Sequence, residues 1–180
     1  QTMSQIVRRL ENDGLLLAQE PLRGRVGQPS VPYALNPDGV LSLGVKIGRR
    51  SAEVVLCNFM GEVLDRDRRT YAFPEPGEVL PVVAEIIKGM RRKHVARRFA
   101  GIGVAMPFEL WKWLDEIKAP PQRLARWQDV DVAAELGERT GLPTYVANDA
   151  TAACGAELAY SHRGSSIDML YLFIGSFAGG

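Results

Sequence analysis

A chain of 180 residues with 46% hydrophobic residues, 24% charged residues and a formal net charge of +1 has the composition of an ordinary globular protein. That balance excludes a polycation that coats nucleic acid through bulk charge and an acidic disordered tail, so any nucleic-acid contact must be local. Cys57 and Cys154 stand far apart and show neither a disulfide framework nor a metal-ligand spacing. No apolar run reaches the roughly 18 residues of a membrane span, and the N-terminus lacks the pattern of a signal peptide. A cytoplasmic protein without a metal or membrane partner is therefore expected.

In chain order, Met3, Ile6, Val7 and Leu10 recur at spacings of three and four within residues 2–13 and predict an amphipathic helix that Gly14 ends. The segments 15–18 and 32–35 predict two strands of a β-hairpin around a basic, glycine-punctuated turn. Asn36-Pro37-Asp38-Gly39 is a dense turn signal and marks a domain boundary, dividing the chain into 1–38 and 39–180. Three strands are predicted over 41–47, 52–58 and 62–71, then a helix over 77–92 with Leu80, Val83, Ile86, Ile87 and Met90 inward. The apolar run 101–106 predicts a buried strand. A helix over 129–140, a strand over 143–147, a helix over 150–160 and a further buried strand over 169–174 complete the pattern. Strands that meander and then alternate with helices predict a mixed α/β sheet of the ribonuclease H-like, or actin-like ATPase, plan. Both ends interrupt patterned segments, so the chain reads as part of a longer protein.

From Leu43 onward the sequence resembles the ROK family of repressors and sugar kinases, and the helix and hairpin before it resemble the C-terminal part of the winged helix-turn-helix of its repressor members. The resemblance rests on Leu43-Gly44-Val45-Lys46-Ile47-Gly48, on Gly101-Ile102-Gly103-Val104-Ala105-Met106-Pro107, on Val146-Ala147-Asn148-Asp149-Ala150-Thr151, and on Ile174-Gly175-Ser176-Phe177-Ala178-Gly179-Gly180. It implies the first lobe of a kinase-like domain. In the family's kinases the first strand turn carries an aspartate and small residues that admit ATP phosphates and magnesium. Here Lys46, Arg49 and Arg50 stand at that turn, which predicts that phosphoryl transfer is lost.

The resemblance places a catalytic base at Asp149 and sugar contacts at Asn148, Asp149, Pro107 and Phe108. Read from residue type alone, Asn148-Asp149 is equally an N-cap, worth roughly 1 kcal/mol. Phe108 stands where the family usually has glycine, and Trp111 and Trp113 after it read as packing against the lobe. Gly175, Ser176, Gly179 and Gly180 match a phosphate-binding turn, although a glycine turn alone is a weak signal.

At the DNA-facing end, Gln1, Thr2, Ser4, Gln5, Arg8 and Arg9 lie on the polar side of the first helix, and Arg23 and Arg25 at the hairpin tip. Residues 1–40 hold four arginines against four acidic residues, so arrangement and not bulk charge must steer. The run Arg91-Arg92-Lys93-His94 with Arg97-Arg98 reads as a solvated helix C-terminus. Together these features predict a sugar-responsive repressor that binds operator DNA and a sugar or sugar derivative, acts as a homodimer or higher homo-oligomer, and needs no cofactor. The alternative is a glucokinase-like enzyme that phosphorylates a hexose with Asp149 as base and requires Mg-ATP. A third reading is an interaction module that binds neither.

Overall fold

The computed structural model describes residues 2–22, 30–113, 118–160, 169–174 and 178–179. A short head comes first: helix α1 (Met3–Asn12), then strands β1 (Leu16–Ala18) and β2 (Tyr33–Leu35), which pair antiparallel. The lobe follows, with β3 (Leu41–Ile47), β4 (Ser51–Cys57), β5 (Val63–Thr70), α2 (Pro76–Lys93), β6 (Phe99–Met106), α3 (Pro121–Ala125), α4 (Val132–Thr140), β7 (Thr144–Asn148) and α5 (Asp149–Tyr160). Its five-stranded sheet runs in the order β5-β4-β3-β6-β7. The first three strands are antiparallel neighbours, and β6 and β7 lie parallel to β3.

Alternation along the strands sets the two faces of this sheet. Leu41, Leu43, Val45 and Ile47 of β3, Ala52, Val54 and Leu56 of β4, and Ile102, Val104 and Met106 of β6 are buried. They pack with Val79, Leu80, Val83 and Ile87 of α2 and Leu136 of α4 into the core. The opposite face carries Gly44, Lys46, Glu53, Val55, Gly103, Ala105, Tyr145 and Ala147, in cross-strand rows fixed by the register. With Ala152 of α5, these residues line a shallow groove of about 480 Å³. Residues 101–106, predicted as a buried strand, are buried at Gly101, Ile102, Val104 and Met106, while Gly103 is exposed and Ala105 half-buried on the groove face.

Backbone sterics hold β6 and β7 together at their start. Gly101 has φ +156°, and a Cβ there would lie 2.6 Å from the Pro143 carbonyl oxygen. Ile102 N–H donates to that same oxygen at 2.8 Å. Only a residue without a side chain permits this approach.

Two predicted elements need correction. The helix expected from 129 begins at Val132, because Asp131 caps it: Ala134 N–H donates to Asp131 Oδ1 at 3.0 Å. Residues 126–129 instead form a 3-10 turn. The buried strand expected over 169–174 is only Phe173–Ile174, which pairs antiparallel with Ala178–Gly179 outside the main sheet. Leu170 and Ile174 are about four-fifths exposed, so apolarity there does not report burial within the lobe. The amphipathic helix expected over 2–13 forms as α1, with Met3 and Ile6 exposed and Val7 and Leu10 half-covered.

Candidate functional site

Parallel strands in open α/β sheets carry ligands beyond their carboxyl ends, because the loops diverge there and leave a crevice. In this lobe three such ends adjoin. Lys46 of β3 pairs in register with Ala105 of β6, and Met106 of β6 with Asn148 of β7. The turn 48–50, the segment Pro107-Phe108 and the pair Asn148-Asp149 therefore issue side by side. Pro107 is buried and Phe108 is 63% exposed. Glu109 follows at φ 56°, a left-handed conformation that non-glycine residues rarely adopt, and it re-aims the loop after β6.

Asn148 and Asp149 differ in what they do locally. Asn148 Oδ1 accepts from the N–H of Ala150 at 3.0 Å and of Thr151 at 3.3 Å, which is the capping geometry for α5. Asp149 Oδ1 accepts from Ala150 N–H at 3.1 Å. Both side chains are half-buried. The cap and a ligand contact are compatible for Asn148, since its amide nitrogen is not used by the cap.

The β3–β4 turn is pinned from several sides. Gly48 N–H donates to the Ser51 carbonyl at 2.9 Å, and the Tyr71 hydroxyl donates to the Gly48 carbonyl at 2.7 Å. Burial pushes the Tyr71 phenol well above its usual range. Arg50 donates to the Ala72 carbonyl, and the Arg49 guanidinium stacks 5.1 Å from the Trp113 ring centre. Trp111 and Trp113 pack against the core, as read from the sequence.

Glu75 was not singled out from the sequence, yet it ties α3 and the 3-10 turn after it to the start of α2. It is 3% exposed and accepts from both Arg123 and Arg126. The Arg123 guanidinium holds its carboxyl below the usual range, against desolvation, and Arg126 adds to this. Trp127 Nε1 donates to the Pro74 carbonyl at 3.0 Å, and Arg123 lies over Phe73. These contacts fasten α3 and the 3-10 turn after it to the start of α2. A charge directly before Pro76 at a helix start was the available signal; its partners, some 50 residues away, were not legible.

At the head, Ser4, Gln5, Arg8 and Arg9 are exposed along α1. Gln5 Oε1 accepts from Thr2 N–H at 3.0 Å and closes the helix start. The Tyr33 hydroxyl donates to Glu11 at 3.2 Å and ties the hairpin to α1. The boundary residues join head and lobe: Asn36 Nδ2 donates to the Gly14 carbonyl at 2.7 Å, the Pro37 carbonyl accepts from Phe59 N–H at 3.0 Å, and Asp38 pairs with Arg97. A Cβ on Gly39 would lie 2.6 Å from the Gly14 carbonyl oxygen, so the joint closes only with glycine there. Of the other predicted contacts, Gln1, Arg23, Arg25, Gly175, Ser176 and Gly180 lie outside the described residues, and Gly179 pairs with Phe173. Among the described residues no three His, Cys, Asp or Glu side chains cluster to hold a metal, and no helix is long and apolar enough to cross a membrane.

The family model described as "ROK family" matches residues 42–180. A xylose repressor of Caldicellulosiruptor bescii is 24% identical over 97% of this chain and 44% of its own length. A transcriptional regulator of Mycobacterium tuberculosis is 29% identical over 96% of this chain and 40% of its own length. The chain thus spans less than half the length of these relatives. The solved structure of a ROK family transcriptional regulator, a homologue of the E. coli MLC protein, matches with a TM-score of 0.58 at 24% identity, over 86% of this chain and 40% of that one. With the five-stranded mixed sheet and a family match over most of its length, the chain belongs to the ROK family.

Proposed function

We propose that this chain is the ligand-sensing lobe and part of the DNA-reading head of a sugar-responsive, cytoplasmic transcriptional repressor that acts as a homodimer. The observation that carries the reading is the extent of the similarity. The family model begins at residue 42, whereas the relatives named as repressor and regulator align over 96–97% of the chain and so take in the head as well. A helix followed by a hairpin, with Thr2, Ser4, Gln5, Arg8 and Arg9 outward, fits the recognition helix and wing of a winged helix-turn-helix. The head would read base edges through α1 and touch phosphate through the hairpin.

The sugar or sugar derivative would sit at the adjoining strand ends, with Asp149 accepting from its hydroxyls, Asn148 donating, and Pro107 and Phe108 forming an apolar wall. The side chains at the β3–β4 turn do not fit Mg-ATP. Lys46 brings a cation where a metal-facing carboxylate would be needed, and the Gly48 carbonyl is already engaged by Tyr71. An effector acts by favouring one arrangement of head and lobe, which requires different affinity for the two. Calorimetric titration of the whole protein with a sugar panel that includes xylose and glucose, and separately with Mg-ATP, tests the reading. Sugar binding without nucleotide binding is expected; a phosphorylated sugar formed from Mg-ATP overturns the repressor reading in favour of a hexose kinase with Asp149 as base.

A further inference from the structure

We infer that the basic turn between α2 and β6 is a second DNA-contacting surface, which grips the phosphate backbone of the duplex beside the site held by the head. Read from sequence alone, this run is a solvated helix C-terminus. Helix-dipole stabilisation accounts for Arg91, Arg92 and Lys93, which end α2, but not for Arg97 and Arg98, which lie beyond it. The fold gathers both groups: Lys88, Arg91, Arg92 and Arg97 line one pocket of about 350 Å³ with Val95 and Phe99.

Charge bookkeeping supports an anionic partner. Six cations, Lys88, Arg91, Arg92, Lys93, Arg97 and Arg98, face three carboxylates, Glu85, Asp65 and Asp38, paired with Lys88, Lys93 and Arg97. The local excess is three in a chain whose net charge is +1. Arg92 and Arg98 are exposed and form no ion pair among the described residues. Arg91 stacks over Phe99 and is held in place by the Thr140 carbonyl.

Position selects duplex DNA as the anion. Arg97 pairs with Asp38 of the joint, and the Arg98 carbonyl accepts from Leu41 N–H at 2.8 Å, the first residue of the lobe's sheet. Residues 36–40 alone separate the hairpin from β3, so head and basic turn share one end of the molecule. A duplex seated on α1 passes this end, and Lys and Arg there would neutralise phosphates without reading sequence. The inference rests on the head being a DNA reader, and the test separates the two.

Fluorescence anisotropy of a labelled 40-base-pair mixed-sequence duplex, titrated with the whole protein across a salt series, reads both affinity and the number of phosphates contacted. Arg92→Gln/Arg98→Gln is expected to lower the slope of log affinity against log salt by about two and to weaken binding roughly ten-fold or more at 0.1 M salt. Lys112→Gln, a charge loss near the loop after β6, should leave slope and affinity unchanged. A double variant that binds like the parent overturns the inference, as does a parent that ignores the duplex but is retained by vesicles of anionic phospholipid. If instead Arg8→Gln/Arg9→Gln binds like the parent while the patch variant fails, the patch stands and the head reading falls.

Discussion

Two carboxylates show how residue type underdetermines role. Asp149 and Glu75 are both acidic residues at a helix start, yet Glu75 is buried between two arginines while Asp149 is half-buried at the strand ends. For Asp149 the proposed sugar contact predicts that Asp149→Asn lowers effector affinity roughly ten-fold in calorimetry, the scale of one charge-assisted hydrogen bond. Thermal stability should be little changed. Asn148→Ala should instead lower stability by about 1 kcal/mol through loss of the α5 cap, measured by denaturant unfolding. For Glu75 the pH sign follows from its depressed titration. Its stabilisation is complete above its ordinary value near 4.5 and is lost as pH falls through the lower value of the folded state. Glu75→Gln should therefore cost about 1–3 kcal/mol at pH 7, less than stranding a fully buried partner, because Arg123 and Arg126 can turn to solvent. The difference between variant and parent should shrink in acid-unfolding curves below pH 4.5, and a constant difference down to pH 2 would contradict the assignment.

Among the elements, periodicity served well where one face of an element is buried and the other solvated. The alternation in β3 and β4 and the spacing of Leu80, Val83, Ile87 and Met90 in α2 match the buried positions. It failed where composition and burial part company. In β6 glycine and alanine on the groove side mimic burial, and at 169–174 apolar side chains stand exposed. The start of β6 carries a sharper prediction. Gly101→Ala places a Cβ against the Pro143 carbonyl at a φ that L-residues disfavour, and should cost about 2–3 kcal/mol in denaturant unfolding. Because β6 and β7 together carry Pro107 and Asn148 at their ends, the same change should also weaken binding at the proposed sugar site.

For the molecule as a whole, the joint at residues 36–39 links the first helix and hairpin to the five-stranded sheet. Asn36, Pro37 and Asp38 hold contacts across it, to Gly14, Phe59 and Arg97 respectively, and Gly39 leaves no room for a Cβ against the Gly14 carbonyl. Gly39→Ala should push the head off the lobe without unfolding the sheet. Hydrogen exchange is expected to accelerate at the N–H of Gly39 and Asn36 while amides of β3 and β4 stay protected. Uniform acceleration through the sheet would show that the joint is part of the core and not a separable contact.

The sequence by itself determined the order and type of the main elements, the turn at Asn36-Pro37-Asp38-Gly39 and the family resemblance, because these are written in local periodicity, turn chemistry and short motifs. It also supplied Asn148-Asp149 and Pro107-Phe108 as candidates. Tertiary structure alone decided that the ends of β3, β6 and β7 adjoin, that Tyr71 and Arg50 clamp the first turn, that Glu75 meets Arg123 and Arg126, and that the basic turn lies against the joint. Each of these brings together residues separated by 20 to 60 positions in sequence. Contacts of that range follow from how the sheet is wound and which faces pack, and no local pattern encodes them.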